Sequence, residues 1–338
     1  MSTIDQDMKS IPDTMRAAFI EGNGPADAIE VGRLPVPTPG PTDLLVKMEA
    51  SEVNHVDLFV RSGAYQTSTP FPFVIGRDLV GTVAAAGPGA AHVRIGDRVW
   101  CNSLGHDGRQ GAFAEYSIVP VDRAYRLPEG VEPATAAVIL HAAATAHVGL
   151  SREAGLRAGE TIVVHHAGGA VGSAVVQMAA ARGARVVATC APRDEEWCAA
   201  CGADATIDYE RADFSDRVRA TAPRGVDVWW DTSGRNDLRS TVPLLAMGGR
   251  VIAMSGLQGA DPVVPIGDLY TKDASLRGFA ISNASISDLA DAAKAINRML
   301  AAGRLPARVG ATYHLADAAR AHEDLQNGAV YGRILVLP

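Results

Sequence analysis

The chain of 338 residues has no apolar run approaching the ~18 residues that a membrane-spanning helix needs, which argues against an integral helical membrane protein. It has little cysteine. The four, Cys101, Cys190, Cys198 and Cys201, exclude a disulfide scaffold in a chain this long and fit a reducing compartment. It also lacks a basic balance: 31 Lys and Arg against 38 Asp and Glu give a net charge of −7, unlike a general nucleic-acid or anionic-membrane binder. The opening MSTIDQDMKS is polar with no secretory apolar core, so the expectation is a loose leader on a cytoplasmic protein. Internal repeats and low-complexity tracts are missing too. What is present is an ordinary globular composition, 47% hydrophobic and 20% charged, long enough for two domains with buried cores.

The first third is rich in Gly and Pro and reads as short β-runs. A Pro/Gly turn precedes an apolar strand from Leu44 to Ala50, and FVIGRDLVGTVAAAG, HVRIGDRVW and GAFAEYSIVP follow. Such closely spaced runs predict a small, partly open barrel. The character changes near Pro133, where ATAAVILHAAATAHVGL is helical in composition. Beyond it the strands TIVVHH, ARVVATC, VDVWWDTSG, GGRVIAMSG and SLRGFAI appear, with helical stretches between most of them, the pattern of a doubly wound parallel α/β sheet. A long amphipathic helix, SISDLADAAKAINRMLAAG, and a strand-like tail, GRILVLP, come last.

The stretch HHAGGAVG, His165 to Gly172, allows two readings: paired metal ligands, or a strand running into a phosphate-binding turn. Ala167, Gly169 and Gly172 fall at the G-x-G-x-x-G spacing, after an apolar strand (Thr161 to Val164) and before a helical run ending at Gly183. In that pattern the first small residue permits the tight turn, the second admits the pyrophosphate, and the third lets helix and strand approach. Ala167, Gly168, Gly169, Ala170, Val171 and Gly172 are therefore the candidate phosphate cradle, with backbone N–H groups at the helix start as donors. Adjacent histidines on a strand should point to opposite faces, which disfavours the metal reading. Cys198 and Cys201 form C-x-x-C without a second pair and read as small buried helix residues. The second strand ends Ala188-Thr189-Cys190-Ala191 with no acid for a ribose hydroxyl, and Arg193 follows, which favours NADPH over NADH. The acids Asp194, Glu195 and Glu196 soften that field and suit a helix start.

Taken together, VNHVDLFVRSGAY, FPFVIGRDLVGTVAAAGPGAAHVRIGDRVW, GAFAEY, the Thr145-Ala146 pair, the glycine loop, DVWWDTSG, GGRVIAMSG and GRILVLP resemble the medium-chain dehydrogenases/reductases. The likeness is to their zinc-free, zeta-crystallin-like quinone oxidoreductase branch, and it runs from about Met15 to the end. It implies an α/β fold: a GroES-like, partly open β-barrel catalytic domain (1–133 and 278–338) and a Rossmann domain (134–277). It also implies a homodimer. Zinc-dependent members carry Cys at Asn54, His-Glu at Arg77-Asp78, and a third ligand at or near His141. Two of the three positions are thus non-ligands here, and no zinc is expected.

The resemblance places Asn54 and Tyr65 beside the nicotinamide and acceptor. Asn54 would donate its amide to a carbonyl or simply cap a turn; Tyr65 would supply a hydroxyl proton or wall the pocket. Asp57 reads as a structural acceptor rather than a base. Thr145 is expected at the carboxamide, Tyr209 at the adenosine ribose and 2′-phosphate, and Met254, Ser255 and Gly256 at the cofactor end of a strand. Arg333 would reach the cofactor or be a surface strand charge. His55, Phe59, His141, His147 and His166 depart from the family's usual residues, and His166 takes a usual Gly position. His141 or His55 is either a packed histidine or a proton donor. No arginine stands at Gly278 to Ile281, where some relatives place one against the acceptor. The expected activity is NADPH-dependent, zinc-independent reduction of a quinone or α,β-unsaturated carbonyl. The alternatives are an alcohol dehydrogenase or specialised biosynthetic reductase, and a non-catalytic NADPH-binding protein.

Overall fold

The structure is a computed structural model describing residues 11–90, 92–257 and 261–338; the expected leader lies outside these. The chain forms two compact units, one of residues 1–127, 131–138 and 309–338, the other of 128–130 and 139–308. The first unit opens with a hairpin the sequence reading passed over, β1 (Thr14–Ile20) and β2 (Glu30–Pro35). Then come β3 (Asp43–Glu52), α1 (His55–Ser62), β4 (Phe73–Val74), β5 (Leu79–Ala86), β6 (Arg98–Cys101), β7 (Tyr116–Pro120), β8 (Tyr125–Arg126) and α2 (Pro133–Ala137). Gly81 on β5 sits against β3 so tightly that a Cβ would lie 2.1 Å from the Lys47 carbonyl oxygen. Only glycine permits that approach.

The second unit begins with α3 (Leu140–Val148) and continues with β9 (Thr161–His165), α4 (Ala170–Ala181), β10 (Arg185–Cys190), α5 (Glu195–Ala200) and β11 (Ala205–Asp208). It goes on through α6 (Phe214–Thr221), β12 (Val226–Asp231), α7 (Leu238–Thr241), β13 (Leu245–Ala253), α8 (Ile266–Thr271), β14 (Ser275–Gly278) and α9 (Ile286–Ala301). Its six strands are all parallel, in the order β11-β10-β9-β12-β13-β14. Numbered within the sheet this is 3-2-1-4-5-6, the dinucleotide-binding order, with the reversal between β9 and β12. Val163, Val187, Trp229 and Val251 make part of its dry interior.

The chain returns to the first unit through β15 (Val309–His314), α10 (Ala318–Gln326) and β16 (Arg333–Leu337). Its larger sheet runs β15-β16-β3-β5-β6-β8, with β7 also paired to β3. Apart from the parallel β15–β16 pair, the strand pairs of this unit are antiparallel. The expected boundary at residue 277 differs from this division, which keeps 278–308 with the second unit. The reason is α9: Leu289, Ala292, Ala293 and Ile296 form its buried stripe, and the helix packs against α3. A capping box at Ser285 and Asp288 starts it.

Gly172, in the first turn of α4, fixes how near that helix comes to β9. A Cβ there would lie 2.6 Å from the His166 carbonyl oxygen and 2.7 Å from the Ala167 Cα. Both are backbone atoms, so Gly172→Ala is expected to cost about 1–3 kcal/mol through overpacking. A lowered urea midpoint for the second unit checks this; an unchanged midpoint would show that helix and strand can part freely.

Candidate active site

In the second unit, β9 ends at His165 and the chain turns sharply. His166 has φ +59°, in the left-handed region, which explains in physical terms why glycine suits that position. Gly169 then serves as N-cap of α4 in extended conformation, and a Cβ on it would meet nothing closer than the His166 carbonyl oxygen at 3.5 Å. At Gly169 the loop is open, at Gly168 it is packed against Asp194, and at Gly172 it is closed against the backbone that follows β9. The backbone N–H groups of Ala170, Val171 and Gly172 stand in the first turn of α4, at the positive end of the helix dipole. The expectation that His165 and His166 face opposite ways is corrected. His166 lies past the strand in a left-handed turn, so strand alternation does not apply, and the two rings sit 4.7 Å apart. His165 Nδ1 shares a hydrogen bond of 2.7 Å with Thr189 Oγ1, while His166 stacks on Tyr209 at 4.3 Å and 7°. Among the described residues no group of three or more His, Cys, Asp or Glu is set to hold a metal.

The strand β10 ends at Cys190 with no acid, and Arg193 is exposed in the turn that follows. Asp194 is buried against the loop: a Cβ on Gly168 would lie 2.4 Å from its carboxylate. Arg308 reaches it at 2.7 Å and also donates to the Gly168 carbonyl oxygen at 2.9 Å, pinning the glycine loop to the start of α5. Glu195 and Glu196 lie exposed in the first turn of α5. Tyr209 follows β11 and is half-buried. Met254, Ser255 and Gly256 come directly after β13; Ser255 and Gly256 take φ +63° and +89°. Thr145 is buried on α3, its hydroxyl donating to the His141 carbonyl oxygen at 2.8 Å, and His141 is buried a turn earlier.

In the first unit, Asn54 caps α1 and Asp57 closes the turn by accepting the Asn54 N–H at 2.7 Å. The Asn54 side chain does more than cap. Its Nδ2 donates to Asp78 Oδ2 at 3.0 Å, which fixes the amide's orientation within a buried polar cluster. Arg77 is 1% exposed; burial lowers its pKa while Asp57 and Asp78 hold the charge in place. Arg333 is not a surface strand charge, as one expectation had it. It is buried and paired with Glu52 at 2.9 Å. Tyr65 packs against the core beside α1, its ring 5.8 Å from that of His106. Burial, and then Arg77 and Arg109, hold the His106 pKa down at about 4, so the imidazole beside Tyr65 is neutral at pH 7.

The comparisons with known proteins agree with this anatomy. Residues 40–129 match the alcohol dehydrogenase GroES-like domain family, and 170–298 match the zinc-binding dehydrogenase family. The rat quinone oxidoreductase is 30% identical over 305 residues, covering 89% of this chain and 91% of the rat protein. This chain belongs to the quinone oxidoreductase branch of the medium-chain dehydrogenases/reductases. This oxidoreductase also resembles a mycobacterial protein solved with NADPH, with TM-score 0.83 and 31% identity, covering 96% of this chain and all 100% of that one. A structure described as an NAD-dependent alcohol dehydrogenase gives TM-score 0.87 at 30% identity, with 96% and 100% coverage.

Two side chains in this oxidoreductase escaped the sequence reading. Arg308 is far along the chain from the loop it clamps, and no local pattern marks it. His106 lies in a Gly-rich loop and carries no motif. The buried carboxyls of the first unit have a measurable consequence. Burial pushes Glu52 from 4.5 up to about 8, against the pull of Arg333, and pushes Asp57 from 3.8 up to about 7. Both fold-state values exceed the unfolded ones, so the folded state binds more protons between them, and stability falls as pH rises from about 5 through 8. Glu52→Gln removes one of these groups and should flatten the decline. Urea midpoints at pH 6 and pH 9 test it; a decline as steep as in the parent would contradict the assignment.

Proposed function

We propose that this oxidoreductase is an NADPH-dependent reductase of quinones or α,β-unsaturated carbonyls that works without zinc. The observation that carries the reading is the Ala167–Gly172 loop, which follows the first strand of a 3-2-1-4-5-6 sheet and opens a helix. The exposed Gly169 and the first-turn N–H groups of α4 suit a pyrophosphate. The absence of an acid at the end of β10, with Asp194 turned to Arg308, supports a 2′-phosphate there, near Arg193 and Tyr209. The NADPH complex of the mycobacterial relative points the same way. Thr145, Met254, Ser255 and Gly256 are assigned to the nicotinamide end. Arg333, committed to Glu52, is given a structural role instead.

The residues at the zinc positions do not suit that ion. Asn54 is a neutral amide already bonded to Asp78, and Arg77 is a buried cation, which would repel a second one. Polarisation of the acceptor oxygen therefore falls to neutral donors. When bound, the nicotinamide supplies a hydride. Asn54, oriented by Asp78, donates to the acceptor oxygen, and Tyr65 delivers the proton, with His141 the other candidate donor.

The test is oxidation of NADPH and of NADH against a panel of quinones and enones, with zinc analysis of the same preparation. We expect turnover favouring NADPH, no stoichiometric zinc, and losses of about 10²-fold in kcat/KM for Asn54→Ala and for Tyr65→Phe. The likeness to an NAD-dependent alcohol dehydrogenase gives a second reading. NAD-coupled alcohol oxidation with no quinone or enone turnover would replace the first reading with it.

A further inference from the structure

The histidine in the left-handed turn has no role in the reading so far, and its placement is specific. In the sheet order β11-β10-β9, β10 lies between the strands that precede His166 and Tyr209. Strands two places apart are separated by about 10 Å. Yet the ring after β9 and the ring after β11 stack at 4.3 Å and 7°, so they meet across the carboxyl end of β10. That end is where a doubly wound sheet meets the ribose 2′ position. A glycine at 166 would leave the space to the dinucleotide; this chain puts an imidazole in it.

We propose that His166 is a specificity-determining residue that donates a hydrogen bond to the 2′-phosphate of NADPH and takes up a proton on binding it. The proposal rests on the NADPH reading given above. Tyr209 fixes the ring plane, and the Thr232 hydroxyl, 3.3 Å from the His166 carbonyl oxygen, holds the turn. The charged and titratable groups around the ring come from several elements. His165 precedes it, and Asp231 and Arg235 reach it from the end of β12 and the loop beyond. Asp237 acts on His165; Arg193, Asp194, Glu210 and Cys190 act on the Tyr209 side. Burial lowers the His166 pKa, Asp231 opposing and Arg235 reinforcing it, so the free imidazole is neutral at pH 7. A phosphate dianion beside it raises that value. Between the free and bound values, binding draws a proton from solvent, and NADPH affinity falls as pH rises through the window. NADH lacks the phosphate and does not engage this device.

The experiment uses the full-length protein and its His166→Asn variant. Asparagine tolerates the left-handed turn but cannot titrate. Calorimetric titration with NADPH and with NADH, from pH 5.5 to pH 8.5 in buffers of different ionisation enthalpy, gives affinities and protons exchanged. The phosphate's own ionisation near pH 6 is common to both proteins, so their difference isolates the histidine. The parent should take up more protons with NADPH than the variant, by up to about one. Its NADPH-to-NADH affinity ratio near pH 6 should exceed the variant's by about tenfold and converge with it at high pH. Equal ratios and equal proton uptake would overturn the proposal. So would a variant that gains affinity for both dinucleotides alike, since the ring would then merely fill space. A parent that prefers NADH at every pH would instead defeat the NADPH reading itself. Matching thermal midpoints confirm that the variant keeps its fold.

Discussion

The second unit depends on a contact in which there is no side chain at all. Gly172 lets the first turn of α4 lie against the backbone of His166 and Ala167, at distances no Cβ could share. That approach sets the direction in which the N–H groups of the helix's first turn point. Arg308 completes the arrangement by tying Gly168 to Asp194, a residue beyond the next strand. The loop is therefore fixed on both sides: by lack of volume beneath it and by a charged clamp beside it. Asp194, which alone would discourage a phosphate, is compensated by the same clamp.

The first unit is organised around buried charge. Two arginines, Arg333 paired with Glu52 and Arg77 in the field of Asp57 and Asp78, lie within a cluster of carboxyls, all nearly excluded from water. Burying so many ionisable groups is costly unless each is matched. The cluster does not earn its place by stability. Its effect is orientation: Asn54 is held by backbone to Asp57 and by side chain to Asp78, so its amide cannot flip. A fixed donor loses little freedom when it meets an acceptor, which is the condition for effective electrostatic catalysis.

Much of this was legible in the sequence, and the reasons are local. The parallel sheet and the glycine loop follow from apolar runs punctuated by small residues, a signal carried within about 30 residues. The hairpin of β1 and β2 was not legible, because its alternation is broken by Arg16, Ala17 and Ala18 on one strand and Gly32 and Arg33 on the other. The strand β11, four residues long, was too short to stand out. The polar contacts were harder still. Arg333 pairs with Glu52 across 281 positions, and Arg308 meets Gly168 across 140. No periodicity encodes such partners. The two histidines were misread for a more instructive reason: alternation holds only inside a strand, and a single left-handed residue cancels it.

That residue also bears on how this site can change over time. A left-handed turn admits few side chains without strain: glycine freely, and asparagine, aspartate and histidine more readily than the rest. Asparagine and aspartate are each a single base change from histidine in the genetic code, whereas glycine is not. The neighbours of His166 in sequence space thus include one neutral residue and one anionic residue that the backbone accepts as it stands. A lineage could therefore alter the charge over the end of β10 in one mutational step, leaving the turn, the loop and the helix behind it undisturbed.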